Sequence, residues 1–182
     1  MPEASELTGK YNLDPTHSRV GFVARHAMVT KVRGSFNDLK GSGFFDADNP
    51  SASKIELEID AKSIDTRNAD RDNHLRGNDF FDMDTYPKIT FASTSITKAG
   101  GDTYQVVGDL TIKGVTKSID FEVELSGPVK DPWGNTRVGL EGRTEVSRKD
   151  WGITWNAPLE AGGILVSDKV TLEFEVSAVK EA

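Results

Sequence analysis

Strict alternation of apolar and charged residues constrains this chain more than any other feature. In residues 54–64, Ile55, Leu57, Ile59 and Ala61 fall on one face of an extended strand and Glu56, Glu58 and Asp60 on the other. Residues 118–125 repeat the pattern, with Ile119, Phe121, Val123 and Leu125 opposite Asp120, Glu122 and Glu124. Residues 169–178 repeat it again, with Val170, Leu172, Phe174 and Val176 against Glu173 and Glu175. Side chains on a strand change face at every residue, so each stretch has one dry side and one wet side. Similar readings place strands at 18–26, 88–96, 104–112 and 136–146. The total is about eight strands, punctuated by turn signals such as residues 46–51 and 99–102. A strand charged on one face needs water there. An antiparallel sheet closed on itself meets that need and also removes the unpaired edges. Several strands run to about 26–33 Å at about 3.3 Å per residue, which makes a tall barrel. Periodicity leaves open whether such a barrel is filled or hollow, and does not separate it from a sandwich.

Residues 63–93 break the alternation with a short helix of about three turns. Thr66, or Asp65 beside it, supplies an N-cap oxygen. Asp70 and Asp72 suit the positive end of the helix dipole, and Gly77 offers a left-handed residue to end it. Ala69 and Leu75 give only a thin apolar stripe, so the helix is expected to lie across another element. Residues 28–36 read either as a continued strand after a bend or as a turn of helix.

The chain has 182 residues, 36% of them hydrophobic, and 17 glycines, enough for one domain with a sizeable core and many turns. Residues 1–10 read as a flexible tail and 11–180 as the domain. The net charge of −7, without any Lys/Arg-rich run, argues against nucleic acid as a partner and against charge-driven docking on an anionic membrane. The absence of cysteine excludes disulfides, thiolate catalysis and cysteine-bound zinc. No apolar run is long enough to form an integral membrane segment. Residues 1–10 are polar and show no secretory signal, so the expected location is the cytoplasm, or outside the cell if a leader has been trimmed away.

No residue is assigned a catalytic role. His17, His26 and His74 match no metal-binding spacing and read as strand-end hydrogen-bonding groups. Asp14, His17 and Ser18 carry the residue types of a hydrolase triad, but no nucleophile-elbow motif is present. Asp65, Asp70, Asp72, Asp79, Asp82 and Asp84 lack calcium-loop spacing and read as a solvated face interleaved with Arg67, Arg71 and Arg76. Alternatively, Arg71 and Asp72 tie the helix to the wall.

One further pattern spans nearly the whole chain. It runs from Leu13-Asp14-Pro15-Thr16-His17-Ser18, with Val20, Phe22 and His26, through Val32, Gly34, Phe36, Gly41 and Asp46. It continues with Ser63-Ile64-Asp65-Thr66, Arg71-Asp72, His74-Leu75, Asp79-Phe80-Phe81-Asp82, Tyr86-Pro87 and Phe91-Ala92-Ser93-Thr94. It closes with residues 108–116 (GDLTIKGVT), Arg148-Lys149-Asp150-Trp151-Gly152 and Val166-Ser167-Asp168-Lys169-Val170. In this the chain resembles the YceI-like, polyisoprenoid-binding family.

The resemblance implies an all-β fold, an eight-stranded antiparallel lipocalin-like barrel with one short helix. It also implies a bound polyprenyl or quinone-type lipid in the bore and no other cofactor. The inward apolar residues Phe22, Phe36, Leu57, Ile59, Phe91, Leu110, Ile112, Phe121, Val123, Leu140, Leu172 and Phe174 are then candidate lining. Phe80, Phe81, Trp151 and Trp155 are candidates for the mouth. A homodimer is expected by analogy with other barrels. The rival readings are an enzyme acting on a hydrophobic substrate and a filled barrel serving as a structural or interaction module.

Overall fold

The alternating segments close into one barrel. The computed structural model describes residues 4–157, 159 and 165–182. Among these residues eleven strands form a single antiparallel sheet: β1 (Gly9–Leu13), β2 (Arg19–His26), β3 (Thr30–Phe36), β4 (Leu39–Phe45), β5 (Lys54–Asp60), β6 (Ile64–Asp65), β7 (Lys88–Gly100), β8 (Thr103–Ile112), β9 (Val115–Lys130), β10 (Thr136–Ser147) and β11 (Lys169–Lys180). The first six combine into three long staves. β1 and β2 run along successive parts of β11, at Tyr11↔Lys180 and Phe22↔Leu172. β4 and β3 pair with β1 and β2 in turn, and β5 and β6 pair with β4 and β3. With β7 to β11 this makes eight staves in chain order, closed where β11 meets the first. The eight-stranded barrel expected from the sequence is thus the observed fold.

The break between β1 and β2 has a local cause. Pro15 has no backbone N–H to donate to a ladder, and a single 3-10 turn, Pro15–His17, interrupts the strand. Asp14 Oδ1 accepts the Thr16 N–H at 3.0 Å. Ser18 Oγ accepts the Ser177 N–H at 3.0 Å, so the stave stays stitched to β11 across its kink.

Several local expectations need correction. The N-terminal tail contains a helical turn, α1 (Ala4–Leu7), and β1 begins at Gly9. Of the two readings of residues 28–36 the strand is the observed one: β3 follows a turn that holds Ala27 and Met28 at positive φ. The main helix, α2 (Ala69–Arg76), has eight residues, and its N-cap is Asn68, whose side chain accepts the Arg71 N–H at 3.0 Å. Thr66 does not cap it, because its N–H and hydroxyl both donate to Asp72 Oδ1, at 2.9 and 2.5 Å. Asp72 is therefore buried and does not join a solvated face. Gly77 ends the helix in extended geometry, φ −79°, instead of the left-handed one. The sequence also predicts a loop over residues 156–163, most of which lie outside the described residues.

The two ends of the barrel are covered differently. At the end holding both termini, Tyr11, Val138 and Ala178 form a small cluster with Leu7, Phe45 and Leu125. At the other end, Leu75, Phe81, Met83 and Trp151 pack onto the main core.

Candidate functional site

The inward residues of the staves surround a cavity of about 320 Å³. It reaches from Tyr11, Val138 and Ala178 at one end to Trp151, Ile153 and Val166 at the other. Val138 and Val146 both line it and stand eight residues apart on β10, about 26 Å at about 3.3 Å per residue. All twelve residues named as candidate lining face this space. Phe36, Ile59, Phe91, Leu110 and Val123 are buried. Phe22, Leu57, Ile112, Phe121, Leu140, Leu172 and Phe174 keep partial exposure although they point inward, because they border the empty space of the cavity.

The aromatics divide between wall and cap. On the wall, Phe121 contacts Phe91 and Phe174 at ring distances of 5.6 and 5.1 Å. Phe36 links Phe22 (5.8 Å) to Phe81 of the cap (6.1 Å, edge-on). The four expected mouth residues are placed unequally. Phe80, Phe81 and Trp151 line the cavity and Trp155 does not. Trp151 is only 2% exposed, and its indole N–H donates to the Leu110 carbonyl at 2.9 Å, so it closes the bore instead of rimming it. Phe80 is buried, and Trp155 packs on it and on His74, with ring centroids 5.3 and 4.7 Å apart.

Sequence reading missed the residue that organises this cap, Arg148. Its guanidinium is buried beside the cavity and donates to four carbonyls: Ser167 (2.9 Å), Ile153 (2.8 Å), Trp155 (2.9 Å) and Val166 (3.3 Å). Burial pushes the guanidinium pKa down from its ordinary value, and Asp168, 3.5 Å away, opposes that shift. The fork geometry of arginine lets one side chain gather several carbonyls that would otherwise lie unpaired. The RKDWG motif contained this signal, but its carbonyl partners lie up to 19 positions away.

Asp14, His17 and Ser18 do not form a proton relay. His17 Nδ1 lies 2.8 Å from Asp14 Oδ2, but the Ser18 hydroxyl donates to the Asp14 carbonyl at 2.6 Å and is not aligned with the imidazole. Asp14 instead belongs to a structural pair with Arg137, at 2.7 Å, and that hydrogen bond holds its carboxyl well below the usual carboxylate range. Arg137 also bonds Asp131 at 2.7 Å and holds that carboxyl down as well. His74 Nε2 lies 2.8 Å from Asp79 Oδ2, and His26 ends β2, where its backbone bridges to Val166. Among the described residues no group of three or more His, Asp or Glu side chains is placed to hold a metal ion, and no helix is long and apolar enough to cross a membrane.

Residues 11–178 match the YceI-like domain, and the chain belongs to that family. A UPF0312 protein of Yersinia pestis (strain Pestoides F) is 41% identical over 152 residues, covering 82% of this chain and 79% of that one. The crystal structure of Burkholderia cenocepacia BcnA superposes with a TM-score of 0.80 at 25% identity, over 91% of this chain and 98% of that one. A polyisoprenoid binding domain from Saccharophagus degradans, implicated in plant cell wall breakdown, shares the fold at a TM-score of 0.70 and 19% identity, over 94% of this chain and 98% of that one.

Proposed function

We propose that this chain encloses the tail of a long isoprenoid lipid, of polyprenyl or quinone type, and sequesters or carries it. The observation that supports the reading is the bore: a 320 Å³ cavity that runs the height of the barrel behind a wall of aliphatic and aromatic carbon. Its volume is at the lower end of the roughly 300–1,000 Å³ typical of ligand sites. Its length relative to that volume suits a thin chain better than a compact ring system. Each buried methylene is worth about 0.8 kcal/mol, so several isoprene units gain on the order of 10 kcal/mol gross. Ordering the chain offsets part of that gain. The Saccharophagus degradans domain that shares the fold is a polyisoprenoid binding domain, which agrees with this use of the barrel. The role requires no bond-breaking step, only desolvation of a hydrocarbon in a preformed space.

Native mass spectrometry of protein purified without added lipid tests the reading. The expected result is an adduct that organic extraction removes and that a polyprenol or a prenylquinone restores. Absence of an adduct together with failure to take up either compound would overturn the proposal.

A further inference from the structure

A second concavity lies at the upper rim, and its chemistry is the reverse of the bore's. His26, Thr30, Lys31, Arg33, Arg67 and Arg71 line it. It forms where β6 stops short: β6 pairs with β3 only at Ser35 and Phe36, and the chain then turns away into α2. Lys31 and Arg33 follow along β3 beyond the last β6 pair, and Arg67 and Arg71 come from the chain that left it.

Four cations gather here in a protein of net charge −7. Among the described residues, Lys31, Arg33, Arg67 and Arg71 form no ion pair with a carboxylate. Two carboxylates of the same segment make hydrogen bonds and no ion pair with these cations. Asp65 Oδ1 accepts the backbone N–H of Arg67 at 2.8 Å, and Asp72 is taken by Thr66. Arg71 is held in place, with Nε donating to Thr66 Oγ1 at 2.7 Å and Nη2 to the Thr66 carbonyl at 2.6 Å.

The groove also shares its walls with the bore. His26 lines the groove, and its bridge partner Val166 lines the bore. Arg71 and Leu75 stand four residues apart on α2, where side chains are neighbours; the first faces the groove and the second the bore. Along β3, Gly34 lies under Phe22 and faces the bore, while Lys31 and Arg33, at the alternate positions, stand on the outer side of the same wall.

We infer that this groove takes a phosphate or diphosphate group, and that the lipid whose tail enters the bore is a prenyl phosphate. The inference rests on the bore being a prenyl site. Guanidinium and ammonium groups without carboxylate partners match phosphate oxygens in charge and donor geometry. A neutral quinone or alcohol head leaves the four cations unanswered, whereas a prenyl phosphate answers groove and bore together.

Titration calorimetry with geranylgeranyl diphosphate, geranylgeraniol and inorganic diphosphate, at physiological salt, tests this. It compares the full chain with a Lys31→Gln/Arg33→Gln/Arg67→Gln variant, checked for folding by thermal melting. Arg71 is left intact because it holds Thr66. The expected result is that the diphosphate lipid binds about tenfold to a hundredfold more tightly than the alcohol, the scale of one charge-assisted hydrogen bond. The variant should lose that preference and keep its affinity for the alcohol. Equal binding of the two lipids by the wild type, or a preference that survives in the variant, overturns the inference and leaves the bore reading standing. Failure of both lipids to bind overturns the bore reading. In that case, binding of inorganic diphosphate that the variant loses assigns the groove to a free anion, and no such binding overturns the groove as well.

Discussion

The ring of Phe22 lies across Gly34, its cross-strand partner, where a side chain of any size would meet the ring carbons. The arrangement recurs. Phe174 covers its partner Gly142, with Cζ 2.6 Å from where a Cβ would stand, and Phe91 covers Gly108 with Cε1 at 2.7 Å. In each case an inward aromatic is laid flat over a residue without a side chain, which keeps large rings on the wall and out of the bore. Gly34→Ala is the cleanest test, because the three atoms nearest to its added methyl all belong to the Phe22 ring, whereas Gly108 and Gly142 also face backbone carbonyls. Overpacking of this kind costs about 1–3 kcal/mol. Thermal melting should show that loss, and prenyl-lipid affinity should fall about tenfold as the ring turns into the bore, about 1.4 kcal/mol. Adding Phe22→Leu should restore binding. Unchanged lipid affinity in Gly34→Ala would mean that the ring position does not shape the site.

Arg148 holds the cap through four carbonyls, so its removal strands several buried acceptors at once. Arg148→Met is expected to cost about 2–5 kcal/mol, or roughly 5–15 °C in Tm for a chain of this size. Arg148→Lys should not rescue it, since a point charge with three donors cannot reproduce the fork. Differential scanning calorimetry reads both variants, and near-wild-type melting of the lysine variant would contradict this account.

Acid should weaken the seam near Asp14. Arg137 lowers the Asp14 carboxyl first of all, with help from Thr16 and His17. A carboxyl whose folded pKa is depressed contributes stability that is complete above its unfolded value of about 3.9. That contribution fades as pH falls from there through the lowered folded value. Asp14→Asn should therefore destabilise the protein at pH 7 by about 1–3 kcal/mol, the scale of hydrogen bonds to a charged group. The gap between variant and wild type should narrow below about pH 4. Melting curves from pH 2 to 7 check both statements, and a gap independent of pH would count against the pairing.

Most of the staves could be read from the sequence because each carries its own wet and dry faces, a property that does not depend on its neighbours; the stave of β3 and β4 could not, because residues 28–36 also fit a turn of helix. What needed neighbours could not be read. Pro15 marks a break in a strand, and only the structure shows that Ser18 and Ser177 join β1 and β2 into one stave across it. Each phenylalanine–glycine contact depends on cross-strand register, which no single strand encodes. Thr66 and Asn68 are both plausible caps, and the choice fell to Asn68 because Asp72 claims the Thr66 hydroxyl. Trp151 carried no sequence mark of the Leu110 carbonyl that draws it inside. The basic groove escaped notice because its cations come from two separate segments, neither of them a run of like charge.

A barrel that holds a prenyl tail along its length must bind longer tails more tightly, so affinity measured against chain length is decisive. Prenyl alcohols of two to eight isoprene units should bind with affinity rising roughly tenfold per added unit, as each unit buries more hydrocarbon against the cost of ordering it. The rise should stop once the tail fills the cavity between Trp151 and Tyr11. Affinity that does not change with chain length, or no binding at any length, would contradict the account.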